Sequence, residues 1–329
     1  MGCNGMEQTL QQVLRCLLPG ETVSGEMIAR ELRVTRAAVF KQIEQLRALG
    51  FGVESVPRQG YRLAELPDSL LAPVVQQGLD TAWAGCEVAY YACIGSTNRE
   101  ARLLAANGAR HGTLVLADAQ TAGRGRRGRG WISPAGEGIF MSLILRPDVH
   151  PSQVARLSLL TALAVANAIA EATGLDARIK WPNDIVIGGR KVCGLLLEMD
   201  ADESAVHSIV AGVGINVHQR IFDEEIAHTA SSLDLLGGTA YRRAEIVRAF
   251  LRQFECAMEM RDEDMMKDYC ARSATLGQRV QVISLSGTYT GIAEGITDSG
   301  SLLVRADEDG ALREVLAADV SVRGIMGYV

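Results

Sequence analysis

The sequence lacks the cysteine pairing that marks a disulfide framework or a zinc site. Its seven cysteines are scattered, odd in number and include no Cys-x-x-Cys pair. This usage is typical of a protein from a reducing compartment. Most of the thiols are expected to be small, buried apolar groups.

Long apolar segments are also lacking. The most apolar helical stretch, residues 157–172, contains Thr161, Asn167 and Glu171 and is shorter than a membrane span requires. No basic region followed by an apolar segment opens the chain, so no export signal is apparent. We therefore expect a cytoplasmic protein with no membrane partner.

The third feature that the chain lacks is an excess of positive charge. Lys and Arg number 33 against 39 Asp and Glu, and the formal net charge of −6 argues against a broad nucleic-acid surface. Residues 1–66 differ slightly, with eight Lys/Arg and seven Asp/Glu, so the acidic excess lies in the rest of the chain.

What the sequence does contain is a dense basic loop. Residues 120–131 read Gln-Thr-Ala-Gly-Arg-Gly-Arg-Arg-Gly-Arg-Gly-Trp, so four arginines are interspersed with four glycines. Glycine disfavours ordered elements, and like charges repel when no anion lies between them. Strand-like apolar stretches at residues 112–119 and 138–145 argue against a solvated linker or an RGG-like nucleic-acid tail. We predict a mobile loop that orders around an anion through guanidinium and backbone N–H donors.

The first 66 residues show three helical patterns followed by a hairpin. Ser24 and Thr35 are candidate N-caps of the second and third helices, and Gly50 ends the third. The hairpin strands lie at residues 51–55 and 61–64 around a basic turn at residues 57–60. This pattern predicts a winged helix-turn-helix DNA-binding domain over residues 1–66.

The outer side of the third helix supplies the candidate DNA contacts. They are Thr35, Arg36, Lys41 and Gln42. A helical dimerisation or capping domain without a DNA role stays open as an alternative, because near-neutral charge weakens non-specific DNA affinity. A domain with weak DNA affinity could still bind an operator as a dimer on two half-sites.

A polar triplet, Ser96-Thr97-Asn98, separates a strand-like stretch at residues 88–94 from a helical one at residues 101–106. A strand that leads into a helix N-terminus places hydroxyls and unpaired N–H groups beside any ligand. Thr97 and Glu100 also match a capping box. On this pattern alone, helix capping and ligand binding are both open.

A second dense motif, Lys180-Trp-Pro-Asn-Asp184, is expected to close a strand, since proline cannot donate within a ladder. A hairpin turn at Gly188-Gly189 then leads into an apolar return strand that carries Lys191. We interpret Lys191 as an anion ligand beside the arginine loop. The glycines of a buried strand at residues 209–216 permit close approach of a ligand.

The C-terminal part alternates strands and turns after a helix at residues 243–260. Short strands are predicted at residues 279–285, 287–295, 300–306, 312–316 and 320–323. This spacing indicates a small antiparallel barrel.

Five motifs occur in the order found in one family. They are Ser96-Thr-Asn98, Gln120-x-Ala-Gly-Arg-Gly-Arg-Arg-Gly-Arg129, Lys180-Trp-Pro-Asn-Asp184, Lys191-x-x-Gly194 and Gly212-x-Gly-Ile-Asn216. The chain closely resembles the bifunctional biotin–protein ligases that also act as biotin operon repressors. The resemblance spans nearly the whole chain and implies an α+β protein. Its expected parts are the winged helix-turn-helix at residues 1–66, a mixed α/β catalytic domain of the class II synthetase and biotin ligase type at 67–273, and an SH3-like β-barrel at 274–329.

The resemblance implies an ATP-dependent, AMP-forming ligation in two steps. The carboxylate of biotin attacks the α-phosphorus of ATP to give biotinyl-5′-AMP and pyrophosphate. A lysine of a biotin carboxyl carrier protein domain then takes the biotinyl group and releases AMP. Operator DNA is the second partner, and the adenylate would act as corepressor by favouring a homodimer.

The resemblance also assigns residues. The biotin site would comprise Ser96, Thr97, Asn98, Gln120, Arg124, Gly125, Arg126 and Lys191. The catalytic set would comprise Arg124, Arg126, Lys180, Asp184 and Lys191, with Asp184 a candidate Mg²⁺ ligand. The nucleotide contacts would be Trp131, Lys180, Asn183 and Asn216.

One departure from the family concerns adenine. Some members cover it with a tryptophan after the Gly-Ile-Asn strand, whereas the last tryptophan here is Trp181. Ile221, Phe222 or another apolar side chain within residues 217–235 would have to take that place. Two alternatives remain open, a ligand-sensing DNA-binding repressor with little catalysis and a lipoyl or octanoyl ligase of the same superfamily.

Overall fold

The computed structural model describes residues 2–147, 154–202, 205–284, 287–317 and 321–324. The chain divides into two compact units, Met1–Leu79 and Asp80–Val329. The ends of two predicted C-terminal strands, Leu285 and Val320, lie outside the described residues.

The first unit is a winged helix-turn-helix. Its elements are α1 Gly2–Leu17, α2 Gly25–Glu31, α3 Arg36–Ala48, β1 Gly52–Val56, β2 Gly60–Glu65 and α4 Ala72–Gln76. The Ser24 hydroxyl accepts a hydrogen bond from the Met27 N–H at 3.0 Å, and the Thr35 hydroxyl accepts one from the Ala38 N–H at 3.1 Å. Both predicted N-caps are therefore confirmed.

The wing is also as predicted. Strands β1 and β2 pair antiparallel, and Val23 adds a bridge to Tyr61. Arg58 stands at the tip with a φ of 62°, the left-handed region that a tight turn requires.

One predicted DNA contact is wrong. Thr35, Arg36 and Lys41 are exposed, but Gln42 is only 4% exposed. Gln42 falls on the side of α3 that also carries the buried Ile43. A side chain packed in the core of the unit cannot reach a DNA groove.

The second unit is built on a seven-stranded sheet. Its strands are β3 Val88–Tyr91, β4 Leu114–Ala117, β5 Gly138–Leu145, β6 Arg178–Lys180, β7 Asp184–Ile187, β8 Arg190–Ala201 and β9 Val206–Asn216, in the spatial order β3-β4-β5-β9-β8-β7-β6. Only the β3–β4 pair is parallel. Gly188 and Gly189 have φ values of 55° and 76°, so the predicted two-residue turn between β7 and β8 is confirmed.

Three helices pack on this sheet, α5 Thr97–Ala106, α6 Val154–Thr173 and α8 Arg243–Glu259. Helix α9 Asp262–Ala271 packs against α6, and the short α7 Leu233–Gly237 lies between β9 and α8 in sequence. Helix α6 is longer than its pattern predicted, and its 20 residues are long and apolar enough to cross a membrane. The expectation that it is too short is therefore wrong. About 61% of its most apolar window is nevertheless buried inside the protein, as in the core helix of a globular domain.

A five-stranded antiparallel sheet ends the chain. It contains β10 Arg279–Ser284, β11 Gly287–Ile296, β12 Leu302–Ala306, β13 Leu312–Val315 and β14 Ser321–Gly324, in the order β13-β12-β11-β10-β14. The indole N–H of the buried Trp181 donates to the Gly300 carbonyl at 3.0 Å, and the backbone N–H of Trp181 donates to the Thr275 hydroxyl at 2.9 Å. Trp181 therefore anchors the Lys-Trp-Pro turn against this sheet.

Candidate active site

One cavity of about 1700 Å³ collects the predicted site residues of the second unit. Its walls are the N-terminus of α5, the arginine loop, the Lys-Trp-Pro-Asn-Asp turn, strands β8 and β9, and part of residues 219–230. The predicted residues that line it are Ser96, Thr97, Asn98, Gln120, Arg124, Gly125, Arg126, Trp131, Lys180, Asn183, Asp184, Lys191 and Asn216. Motifs that are 120 residues apart in sequence thus meet in one place.

The arginine loop connects the adjacent antiparallel strands β4 and β5. It folds back on itself through a bridge between Arg124 and Gly130 and a turn in which Arg127 has a φ of 57°. The Gly125 N–H donates to the Arg129 carbonyl at 2.7 Å. The backbone of the loop is therefore partly organised by its own hydrogen bonds.

A buried arginine holds the two stems of this loop together. Arg243, at the start of α8, is 3% exposed. Its guanidinium donates to Asp118 Oδ1 at 2.9 Å and to the Gly138 carbonyl at 3.1 Å. Asp118 follows β4 and Gly138 begins β5, so Arg243 fixes the distance between the loop's ends. This role of Arg243 was not predicted, because in the sequence it looks like an ordinary helical arginine.

Arg126 is the loop arginine that reaches the opposite wall of the cavity. It donates to Asn183 Oδ1 at 3.0 Å and to the carbonyl oxygen of Ala317. Burial lowers the pKa of Arg126, the Asp184 carboxylate opposes that shift, and Arg127 adds to it. The guanidinium remains charged at neutral pH, so the cavity holds a partly desolvated cation that an anionic ligand would stabilise.

Lys191 and Asp184 form an ion pair on the same wall. The Lys191 Nζ lies 2.6 Å from Asp184 Oδ1, and the two side chains are 26% and 15% exposed. The Lys191 Nζ also lies 5.4 Å from the centre of the Trp131 ring. Lys191 therefore lies in the cavity beside the arginine loop, as the sequence predicted.

Glycines of β8 and β9 form the floor under Trp131. A Cβ atom at Gly214 would lie 2.6 Å from the Trp131 indole nitrogen, and one at Gly194 would lie 2.8 Å from the ring. Gly194 and Gly214 face each other across the two strands. These glycines permit the close approach of the Trp131 ring. Close approach of a ligand to the glycines of residues 209–216 stays a prediction.

The N-terminus of α5 differs from the predicted capping box. Ser96 occupies the N-cap and makes no side-chain cap, and the helix begins at Thr97. The Thr97 N–H donates to Gln120 Oε1 at 2.8 Å, and the Thr97 hydroxyl lies 3.2 Å from the same oxygen. Glu100 accepts from the Tyr91 hydroxyl at 3.0 Å instead of capping the helix. The capping box is wrong because contacts with distant residues replace the local ones.

Two further polar residues behind this corner were missed. Ser142 is fully buried on β5 and contacts both Thr97 and Asn98, at 2.9 and 2.7 Å. Glu198 on β8 accepts from the Asn98 amide at 2.9 Å. A lone serine within the apolar run at residues 138–145 was a signal that could have identified Ser142.

Of the apolar side chains predicted to replace the adenine-covering tryptophan, Phe222 and Ile226 line the cavity. Phe222 is half-buried and lines the cavity, whereas Ile221 is 85% exposed. Asn216 is 7% exposed and donates to the Ser231 carbonyl at 3.1 Å. Asn216 thereby ties the end of β9 to the segment that carries Phe222.

The described residues contain neither a preformed metal site nor, in the cavity wall, a reactive thiolate. Within those residues, no three His, Cys, Asp or Glu side chains are grouped as metal ligands. Burial raises the pKa of the Cys193 thiol, which lies near Lys191, so it is not a thiolate nucleophile at neutral pH. What the cavity offers is cations, hydrogen-bonding groups and carboxylates, of which Asp184 is paired with Lys191.

Three family models match the chain. The biotin/lipoate A/B protein ligase family matches residues 90–216, the biotin protein ligase C terminal domain matches residues 275–323, and an HTH domain matches residues 9–62. Together they define a ligase with a DNA-binding module.

Two curated relatives are similar to this chain over nearly its full length. The bifunctional ligase/repressor BirA of Bacillus subtilis (strain 168) is 40% identical, covering 92% of this chain and 94% of that protein. The BirA of Escherichia coli (strain K12) is 31% identical over 95% of this chain and 96% of its own length. The chain belongs to the family of bifunctional biotin–protein ligases and biotin operon repressors.

A solved structure supports the fold. The biotin protein ligase from Aquifex aeolicus in complex with biotin and ATP has a TM-score of 0.64 and 29% identity, covering 73% of this chain and 99% of that one. The α+β fold class expected from the sequence is thereby confirmed.

Proposed function

We propose that this protein is a biotin–protein ligase that also represses transcription at a biotin operon. One observation carries the ligase part. A single cavity brings the polar corner of Thr97 and Gln120 together with the cations Arg126 and Lys191. A carboxylic acid with a polar head, once joined to a phosphate, presents hydrogen-bonding groups at one end and negative charge at the other.

In the first step, the biotin carboxylate attacks the α-phosphorus of ATP, and pyrophosphate leaves. Arg124, Arg126 and Lys191 place positive charge where the carboxylate and the phosphate oxygens meet, and Lys180 contacts the phosphates. Phosphoryl-centred displacement depends on positioning and charge neutralisation more than on covalent help. No enzyme nucleophile is required, which agrees with the unreactive Cys193 thiol.

Trp131, Asn183, Asn216 and the half-buried Phe222 are the proposed nucleotide contacts. Phe222 takes the place of the tryptophan that covers adenine in some members of the family. The Trp131 ring itself lies against the Gly194 and Gly214 floor, which holds it at the wall of the cavity.

In the second step, a lysine amine of the carrier domain attacks the acyl carbon of biotinyl-5′-AMP and releases AMP. The attacking amine must lose a proton, because its reference pKa is about 10.4. Asp184 is the proposed acceptor of that proton. It becomes available when Lys191 exchanges the carboxylate for the ligand's anionic oxygens.

Mg²⁺ would neutralise phosphate charge, and Asp184 is the proposed protein ligand for it. The described residues form no cage of carboxylates, and Mg²⁺ commonly binds through one or two carboxylates together with substrate phosphates. The donor set therefore fits an ion that arrives with the nucleotide.

The arginine loop also protects the adenylate, which is a mixed anhydride that water hydrolyses. Arg126 already spans the cavity to Asn183. A loop that closes on the adenylate would exclude solvent and hold the charge in place.

We assign DNA binding to residues 1–66, ligation to residues 67–273 and an SH3-like cap to residues 274–329. Thr35, Arg36 and Lys41 are the proposed operator contacts, since all three are exposed at or near the start of α3. The adenylate would act as corepressor by favouring a homodimer on two half-sites. The six cysteines with described side chains are free thiols, which supports a cytoplasmic site of action.

The ligase proposal is tested by pyrophosphate release from the full chain and by mass spectrometry of a carrier domain. Both signals should require biotin and ATP together, and Lys191→Gln should abolish them. Lys267→Gln, on the exposed side of α9, is the matched control and should leave both unchanged. Release supported by lipoate or octanoate but not by biotin would reject the assignment in favour of another acyl ligase.

The repressor proposal is tested by fluorescence anisotropy with DNA selected from a random pool. Lys41→Gln should weaken binding, and Lys267→Gln should not. Selection of no preferred sequence, with and without biotin and ATP, would reject the repressor role and leave the ligase role standing.

A further inference from the structure

A chain of hydrogen-bonded side chains runs behind the polar corner of the cavity. Three members, Thr97, Asn98 and Gln120, line the cavity, whereas Ser142 and Glu198 do not. We call these five residues the polar relay. Its bonds join residues up to 100 positions apart in sequence.

The orientation of one amide can be read from its partners. Asn98 Nδ2 donates to Glu198 Oε2 at 2.9 Å and to the Leu196 carbonyl at 3.1 Å. Both partners are acceptors, so the two protons of the Asn98 amide are used there. Asn98 Oδ1 must therefore face Ser142, at 2.7 Å.

The direction of the next bond follows from counting protons. Ser142 has a single hydroxyl proton, and Asn98 Oδ1 can only accept it. Ser142 Oγ also lies 2.9 Å from Thr97 Oγ1, so this second bond must use the proton of Thr97. The relay therefore runs from Thr97 to Ser142 to Asn98.

Gln120, the other neighbour of the Thr97 hydroxyl, also presents an acceptor oxygen to it. Gln120 Oε1 already accepts from the Thr97 N–H at 2.8 Å, which fixes its oxygen toward Thr97. The Thr97 hydroxyl proton goes to Ser142 at 2.9 Å rather than along the longer contact of 3.2 Å with Gln120 Oε1, so it is used inside the protein. The hydroxyl group thus offers the cavity lone pairs and no proton.

We propose that Ser142 and Glu198 are positioning residues that make this corner selective for an acid whose ring carries N–H donors, such as a cyclic urea. Through Asn98, they hold the Thr97 hydroxyl as an acceptor. An acid with a plain acyl chain or a dithiolane ring has no N–H to give it. This inference rests on the proposed ligase function and specifies how that site selects its acid.

The test is calorimetric binding of three acids to the full-length protein. Biotin and desthiobiotin both carry the cyclic urea, and lipoic acid carries no N–H group. Ser142→Ala should weaken biotin and desthiobiotin by about tenfold each, the size of one lost hydrogen bond to a polar ligand. Lipoic acid should bind Ser142→Ala as it binds the wild type.

A second pair of variants probes the other end of the relay. Glu198→Leu removes one of the two acceptors that orient Asn98, so a smaller loss of about threefold is expected. Glu198→Gln keeps an acceptor oxygen and should restore binding. Arg102→Ala is the matched control, because Arg102 pairs with Glu198 at 3.7 Å, is 58% exposed and lies outside the relay.

A merely structural role would give different results. Because the relay acts on recognition of the acid, Ser142→Ala should raise KM for biotin in pyrophosphate release with kcat within about threefold. Adding Glu198→Leu to Ser142→Ala should produce no further loss, because the relay is already broken.

Other results would overturn the inference, the biotin assignment or the ligase activity separately. Equal weakening of all three acids by Ser142→Ala, or additive effects in the double variant, would overturn the inference. If Ser142→Ala does not fold, the comparison of Glu198→Leu with Glu198→Gln decides. Wild-type protein that binds lipoic acid but neither urea-containing acid would overturn the biotin assignment and the inference together. Binding of biotin without pyrophosphate release would reject only the ligase activity.

Discussion

Replacing Arg126 by alanine separates a ligand clamp from a structural arginine. Without ligand, Arg126 donates to Asn183 and to the Ala317 carbonyl. Each such bond contributes a net ~0.5–1.5 kcal/mol, and relief of the buried charge offsets part of that loss. The substitution should therefore lower the free energy of unfolding of the unliganded protein by only about 1 kcal/mol.

The substitution should weaken the binding of the adenylate more than it lowers the stability of the protein. A guanidinium bound to a phosphate oxygen makes a charge-assisted hydrogen bond, and each one to a charged group contributes ~1.5–3 kcal/mol. If Arg126 makes two such bonds to the adenylate, Arg126→Ala should lose about 3 kcal/mol or more of its binding free energy. Biotinyl-5′-AMP should then be released roughly a hundredfold faster.

The measurement combines two experiments on the same preparations. Thermal unfolding without ligand reports the structural cost, and the decay of protein-bound radiolabelled adenylate after dilution reports retention. Arg110→Ala is the control for loss of a positive charge, since its side chain is 83% exposed and pairs only with Glu87 among the described residues. Proportional losses of unfolding free energy and of retention in Arg126→Ala would refute the reasoning.

Three other substitutions test separate parts of the structure. Gly212→Ala would place a Cβ 2.0 Å from Asn98 Oδ1, so biotin affinity measured by calorimetry should fall at least about tenfold; unchanged affinity would contradict the packing described. Thr35→Ala removes the cap of α3 and should destabilise the first unit by about 1 kcal/mol in chemical denaturation while pyrophosphate release stays at the wild-type rate. Burial lowers the pKa of His111, whose Nδ1 accepts from the Arg146 N–H at 2.9 Å, so the folded state favours the neutral ring. That contribution is present above the unfolded pKa of about 6.5 and is lost as the pH falls below it. Melting temperatures between pH 7 and pH 5 should therefore fall more steeply for the wild type than for His111→Gln, and parallel curves would exclude the effect.

Features that depend on neighbouring residues were predictable from the sequence. The caps Ser24 and Thr35 and the Gly188-Gly189 turn each involve a few consecutive residues, and all three stand where the pattern placed them. Strand β5 was equally clear, because its eight residues are buried without interruption. Local hydrogen bonding and uninterrupted apolar runs leave little room for another structure.

Features that depend on distant contacts were not predictable. Thr97 matched a capping box, but it bonds to Gln120, 23 residues away, and the tertiary contact prevails over the local motif. Gln42 looked like an outward polar residue because side-chain type alone does not show how wide the buried face of α3 is. The bond between Asn98 and Glu198 depends on the register of two strands and one helix, which no local pattern reveals.

Two of the cations proposed to bind phosphate already have partners inside the protein. Lys191 pairs with Asp184, and Arg126 bonds to Asn183 and Ala317. Binding of the adenylate is therefore an exchange of partners, and its free energy is the difference between two sets of charge-assisted bonds. Before the ligand binds, the acceptors Asn183 and Ala317 offset the charge of Arg126 and so reduce its repulsion with the other loop arginines. The exchange would also link the two proposed steps, because a ligand that takes Lys191 would release Asp184 for the proton of the attacking amine.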